Sequence, residues 1–314
     1  MAITTDIDKA VQLLLEGALV ALPTETVYGL GANALDVNSV AKVFEAKNRP
    51  SFDPLIVHVA SIEQAQEVAE LNDVAIALFK QFSPGPLTLV LPKKEVVPDL
   101  VTSGHQTVAI RIPNHPMTLE VIRESGLCIA APSANPFGYT SPTTADHVQE
   151  QLGDKIDAIL DGGPCGVGLE STIVNLCGDP IVLRLGGLAL EELESVLGPL
   201  EVQTSSSNPK APGMLSAHYN PGVSVRLFSN KKELIDNYNR VDNSKTGVLI
   251  MGEGLEGATV YNLSQSENDL EAASRLFTGL RALSAMGCAE IWTHYLPEKG
   301  LGRAINDRLK RAAN

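Results

Sequence analysis

Two cations separated by one residue, Lys47 and Arg49 in "AKNRP", stand at the end of a helical pattern. On a helix they would diverge, but Pro50 pushes Arg49 into extended backbone, which lets both turn toward one point. The same pair also reads as ordinary helix C-terminal charge, worth a few tenths to about 1 kcal/mol against the dipole. Arg111 in "VAIRIP" is a sharper signal. Val108, Ile110 and Ile112 share one face of a strand and Arg111 interrupts the other. An isolated buried cation costs several kcal/mol, so an internal carboxylate or a bound anion must answer it. Its planar fork suits a carboxylate in bidentate geometry. His58 in "PLIVHV" lies opposite the face of Leu55, Val57 and Val59, where a histidine is more often a satisfied core residue than a ligand.

Further along, "APSANPFGYTSPTTADH" leaves a strand for a loop in which Ser133 and Asn135 point the same way. Thr143 and Asp146 have capping-box spacing, so a helix should start near Thr143 or Thr144. Ser141 lies just before it, where free backbone N–H groups favour phosphate. "DGGPCGVGLEST" has glycines at 162, 163, 166 and 168 ahead of Ser171, a backbone that allows a ligand to approach closely. Cys165 has no evident activating partner and reads as packing. Arg184 in "LRLGG" closes a strand beside two glycines. Together the cations Lys47, Arg49, Arg111 and Arg184, with these hydroxyls, point to a polyanionic small molecule such as a nucleoside triphosphate. No G-x-x-x-x-G-K-[ST] is present, so a P-loop is excluded.

"LPTETVYGLGANA" (22–34) contains a match to the G-x-G-x-x-G/A dinucleotide fingerprint. That turn needs its glycines at the strand-to-helix junction and an acid about 20 residues on. Here "PTETVYG" separates the strand end at Leu22 from Leu30, and the later segment is the basic "KNRP". The fingerprint fails on both counts.

The elements that must position these residues alternate. Helical periods near 6–16, 37–46, 62–82, 115–125, 144–152 and 189–197 are interleaved with the apolar runs "ALVAL", "PLIVHV", "LTLVLP", "TVAIRIP", "LCIAAPS", "DAILDG", "STIVNL" and "IVLRLGG". This is an α/β pattern, and the adjacent runs "STIVNL" and "IVLRL" suggest a hairpin, hence a mixed sheet. A Ser-, Pro- and Gly-rich stretch follows, then a smaller α/β pattern with helices near 231–238 and 266–286 and a basic C-terminal helix. The expected organisation is 1–198, a linker at 199–222, and 223–314. Of the net charge of −13, residues 1–200 hold −14 and residues 201–314 hold +1, so no basic stripe for nucleic acid runs through the first part. No apolar run approaches the roughly 18 residues of a membrane span. Four scattered cysteines without C-x-x-C spacing suggest neither a disulfide framework nor a zinc site, and the chain reads as a soluble, cytoplasmic protein.

"LPTETVYGLGANA", "KNRP" with "PLIVHV", "PGPLTLVLP", "VAIRIPNHP", "PSANPFGYTSPTTADHV" and "GGPCGVGLESTIVNL" occur in the order seen in the YrdC-like domain. With "PGMLSAHYNP" and the second α/β pattern, the whole chain resembles the two-domain L-threonylcarbamoyladenylate synthases. The resemblance implies a twisted mixed sheet with a deep open cavity, followed by a smaller Rossmann-like domain. It implies nucleotidyl transfer: L-threonine, bicarbonate and ATP give threonylcarbamoyl-AMP and pyrophosphate, for N6-threonylcarbamoyladenosine in tRNA. It places a catalytic tetrad on Lys47, Arg49, Ser133 and Asn135. Threonine contacts fall on Thr26, His58, Arg111, Ala131 and Ser171. Nucleotide contacts fall on Arg49, Asp53, Thr107, Ser133, Ser141, Arg184 and Tyr219. Mg2+ would accompany ATP with no protein metal site, and the product would pass to the tRNA threonylcarbamoyl-transferase machinery without stable nucleic-acid or membrane binding. "GLGANA" then reads as the end of a loop whose working residue is Thr26, and the linker as a lid. Departures from the family pattern are Leu215 and Ser216 after Gly213-Met214, Ser83 in "SPGPLT" and Leu185 in "RLGG". The alternative reading is an RNA-binding or ribosome-maturation module using the cationic cavity. A related carbamoyl-adenylate enzyme of hydrogenase maturation would carry acylphosphatase and zinc-finger segments that this sequence lacks.

Overall fold

The computed structural model describes residues 2–204, 212, 218–240 and 244–314. Among the described residues, the larger of two sheets has eleven strands. From edge to edge they are Ala2–Thr4, Ala158–Leu160, Val20–Leu22, Gly29–Asn33, Ile129–Ala130, Ile56–His58, Thr107–Arg111, Leu87–Pro92, Thr172–Asn175, Ile181–Arg184 and Glu201–Val202. The sheet is mixed. Ile56–His58 is parallel to Thr107–Arg111, which is antiparallel to Leu87–Pro92. The hairpin is present as antiparallel Thr172–Asn175 and Ile181–Arg184.

The period-2 alternation of the central strands decides which face carries chemistry. Leu55, Val57, Val59, Val108, Ile110 and Ile112 join one apolar cluster with the helical residues Val40, Val43, Leu78 and Phe79. Full burial of each large aliphatic side chain contributes about 1.5–3 kcal/mol. The opposite face therefore receives His58, Arg111 and Thr88, which the register sets side by side across three strands. Lower on that face, Ile56 and Ala109 pack with Val90, Ile173 and Leu183.

Several local expectations are corrected. Gly29–Asn33 is a strand, antiparallel to Val20–Leu22, and not the end of a loop. Glycine makes that pairing possible: a Cβ on Gly31 would stand 2.9 Å from Leu22 Cδ1 and 3.1 Å from the Val20 carbonyl. The helical stretch near 62–82 is two helices, Ile62–Val68 and Asp73–Phe82, the second capped by Asn72. The helix after "SPTT" starts where expected, capped by Thr144, whose side chain accepts from the His147 N–H. Glu201–Val202, in the segment read as linker, pairs with the edge of the large sheet.

The second sheet is parallel, ordered Ser224–Phe228, Glu290–His294, Thr246–Ile250 and Val260–Asn262. Its helices Asp269–Ala285 and Gly302–Ala312 face the first module. Val27, Leu169 and Tyr219 belong to the same apolar cluster as Leu276, Phe277 and Leu280 of the longer helix, and Tyr219 stacks on Phe277 at 5.4 Å. No described helix is long and apolar enough to cross a membrane. At the seam Gly168 has φ +71°, and a Cβ there would lie 2.4 Å from Ser274 Cα. Gly168→Ala combines a left-handed backbone with a backbone clash, so it is expected to lower stability by more than about 1 kcal/mol in urea unfolding.

Candidate active site

One cavity opens on the polar face of the large sheet. Thr26, Arg49, His58, Arg111, Ala131, Ser133, Arg184 and Tyr219, eight of the residues singled out in the sequence, line it. Pro212, His218 and Tyr219 supply part of the wall from the connecting segment. Leu215 and Ser216 of the linker motif lie outside the described residues.

At one end His58 and Arg111 are register neighbours on parallel strands. Arg111 Nη2 is 2.7 Å from Glu25 Oε2, an ion pair rather than an aligned hydrogen bond, and Arg111 Nε is 3.4 Å from the Gly85 carbonyl. The internal carboxylate that Arg111 demanded is thus Glu25, in "PTET". Thr26, fully buried, shares a 2.8 Å hydrogen bond with Thr24, and both line the cavity. His58 Nδ1 is buried with no hydrogen-bond partner among the described residues.

At the other end Arg49 meets Asp53 at 2.9 Å and donates to the Asp53 and Pro54 carbonyls. Burial raises the Asp53 pKa while Arg49, Lys47 and Arg184 oppose it. Lys47 ends its helix and Asn48, in left-handed backbone, turns the chain. The Lys47 ammonium lies beneath the Ser133–Asn135 loop and donates to the Ser133 carbonyl at 2.6 Å and to that of Asn135. Burial, then the nearby Arg49 charge, pushes its pKa well down. Asn135 braces the same loop through the carbonyls of Pro136 and Tyr139. Extending the register of Ile56 with Ala109 by two residues sets Thr107 level with Pro54, at the far end of its strand from Arg111. Thr107 is outside the cavity wall.

Arg184 donates to the Ser171 carbonyl at 2.9 Å, to Ser171 Oγ at 3.0 Å and to the Pro212 carbonyl at 3.3 Å. Ser171 Oγ also meets Thr88 Oγ1 at 2.7 Å, so Ser171 stands behind Arg184 rather than in the wall. Ser141 donates to Glu170 at 2.6 Å, and Glu170 lines the cavity. Sequence reasoning passed over Glu25, Glu170, Thr88 and His218. For Glu25 a signal existed, since Arg111 called for a carboxylate; for Glu170 the signal was an acid flanked by the glycine loop and a strand.

The acids near the cavity are engaged: Glu25 by Arg111, Asp53 by Arg49 and Glu170 by Arg308. Among the described residues no group of three or more His, Cys, Asp or Glu side chains is placed to hold a metal ion.

His58 is 4% exposed, and burial followed by the Arg111 charge lowers its pKa to about 3. The unfolded chain protonates this histidine below its ordinary value of 6.5, whereas the folded chain does so only near 3. Its contribution is complete above pH 6.5 and is lost as pH falls. The slope reaches about 1.4 kcal/mol per pH unit. Urea unfolding at pH 7.5 and 5.5 is expected to show this loss, and His58→Gln to reduce it.

Two family models match the chain. Residues 12–186 match one described as "Telomere recombination", and residues 188–314 match "Threonylcarbamoyl-AMP synthase, C-terminal domain". A threonylcarbamoyl-AMP synthase of Pyrococcus abyssi is 44% identical over 313 residues, covering 95% of this chain and 91% of its own length. One of Bacillus subtilis is 43% identical, with 98% and 92% covered. The crystal structure of P. abyssi Sua5 complexed with L-threonine superposes with a TM-score of 0.91 at 44% identity, over 98% of this chain and 94% of that one. With both modules matched, and with relatives above 40% identity along nearly its whole length, the chain belongs to the threonylcarbamoyl-AMP synthase family.

Proposed function

We propose that this chain joins L-threonine, bicarbonate and ATP into L-threonylcarbamoyl-AMP with release of pyrophosphate, as a nucleotidyltransferase supplying tRNA threonylcarbamoylation in the cytoplasm. The observation that carries the reading is the polarity of the cavity. Its wall combines an arginine, a neutral histidine and paired threonine hydroxyls with three groups suited to phosphate, Arg49, Ser133 and Arg184. The first set fits a small hydroxy amino acid, the second a polyphosphate.

Arg111 holds the threonine carboxylate, with Glu25 fixing its guanidinium from the far side. Thr26 and His58 orient the hydroxyl and amine, Ala131 keeps the floor of the pocket narrow, and Ser171 steadies Arg184. Bicarbonate gives up water to supply carbon dioxide, the threonine amine adds it and loses a proton to give a carbamate, and a carbamate oxygen attacks the α-phosphorus in line as pyrophosphate leaves. Arg49 and Arg184 face the charge that develops on the phosphate oxygens, in a site where few waters screen it. Lys47 acts from below, since its ammonium holds the Ser133–Asn135 loop in place. Asp53 orients Arg49, and Thr107, level with Pro54, borders the nucleotide at its outer end. Mg2+ enters with the phosphates of ATP as part of the substrate. The connecting segment carrying Tyr219 serves as the lid, shielding a carbamate and a mixed anhydride from water. The product then goes to the tRNA-modifying partners.

Pyrophosphate release is expected to require both threonine and bicarbonate, and ATP turnover that ignores threonine would remove the reading. Arg111→Met should raise the threonine KM about a hundredfold or more, with the ATP KM little changed. Lys47→Ala should abolish turnover. The RNA-binding alternative expects salt-sensitive RNA binding that survives Arg111→Met, read by filter binding.

A further inference from the structure

Glu170 is a carboxylate, 7% exposed, in the wall of a cavity read as a triphosphate site. A bare acid there would repel the substrate and cancel Arg184. Its neighbours show why it is tolerated. Oε1 accepts from Ser141 at 2.6 Å, and Oε2 accepts from Arg308 Nε at 3.0 Å, with Arg308 Nη2 also at 3.0 Å. Arg308 comes from the C-terminal helix Gly302–Ala312 of the second module and is 0% exposed. Among the described residues it also meets the Leu185 carbonyl at 2.6 Å, Asp307 at 3.1 Å and the Tyr219 ring at 5.5 Å. Arg184, by contrast, has no carboxylate within ion-pair distance among the described residues; its donors go to Ser171 and Pro212.

We propose that Arg308 is a positioning residue for the nucleotide: by neutralising Glu170 from outside the cavity, it leaves the Arg184 charge free for the triphosphate. This deepens the reading above and rests on it. Charge bookkeeping carries it. Glu170 and Arg184 alone sum to zero, and Arg308 restores one net positive charge, because its other acid neighbour, Asp307, is itself paired with Arg311 at 3.0 Å. Proton affinities agree. Burial works to raise the Glu170 pKa, yet Arg308, then Arg184 and Ser141, bring it down to about 2. Burial disfavours the Arg308 cation, but Tyr219, Glu170 and Asp307 outweigh it and hold its pKa above the usual arginine value. The second module thereby takes part in substrate binding without touching substrate.

The test uses the full chain, with ATP affinity measured by calorimetry and both substrate KM values by pyrophosphate release. Arg308→Leu is expected to weaken ATP about tenfold or more while the threonine KM moves less than about threefold. Adding Glu170→Gln removes the uncovered charge, so the double variant should regain most of the lost ATP affinity. Arg308→Lys keeps the charge and should bind ATP nearly normally. If Arg308→Leu folds poorly, the double variant and Arg308→Lys still decide the matter, because neither leaves a buried carboxylate uncovered. Equal rises in both KM values, unchanged ATP affinity in Arg308→Leu, or no recovery on adding Glu170→Gln would overturn the inference. Failure of wild-type chain to release pyrophosphate would sink the proposed reaction alone, since the ATP affinities would still be read. Failure of wild-type chain to bind ATP would sink both.

Discussion

A guanidinium cannot be held out of water without a fixed counter-charge, and this chain buries several around one cavity in an acidic module. Three are ion-paired to carboxylates: Arg49 to Asp53, Arg111 to Glu25 and Arg308 to Glu170. Removing one partner of such a pair costs about 3–5 kcal/mol, so the two long-range pairs each pin two chain segments together. Glu25 ties the loop after Val20–Leu22 to the strand Thr107–Arg111, and Glu170 ties the glycine loop to the last helix. Arg184 is the exception: among the described residues it is bound by neutral oxygens alone.

That division gives the cavity two kinds of cation. Those with carboxylate partners are rigid and partly neutralised, and they shape the walls. Arg184 keeps its charge. A site built this way binds by prior organisation, with little rearrangement needed as charge moves from a carbamate to a leaving pyrophosphate. The same economy applies to hydroxyls: Thr24 holds Thr26, Thr88 holds Ser171, and Ser141 holds Glu170.

Much of this was legible from residues alone, for identifiable reasons. Runs such as "VAIRIP" and "PLIVHV" alternate strictly, so their faces, and the adjacency of His58 and Arg111 once the strands pair, follow from side-chain geometry. Gly29–Asn33 was illegible because it lacks the β-branched residues that mark strands, its small side chains being demanded by neighbours distant in sequence. The partners of Arg111 and Arg308 were hidden for a related reason. Ion pairing between remote segments leaves no periodic trace, and only the requirement for a counter-charge could be stated. Lys47 was legible as a cation able to turn toward one point with Arg49, but its aim at the Ser133 and Asn135 carbonyls depends on how that loop folds back.

The boundary between the two family models falls at residues 186–188, yet the boundary of packing lies elsewhere. Val27, beside the threonine that faces the cavity, and Leu169, beside Glu170, share an apolar cluster with the helix Asp269–Ala285. Two residues of the first module are therefore part of the second module's interior. A chain shortened near residue 188 would lose the helix that covers both side chains and would expose them to water, Val27 in the cavity wall itself.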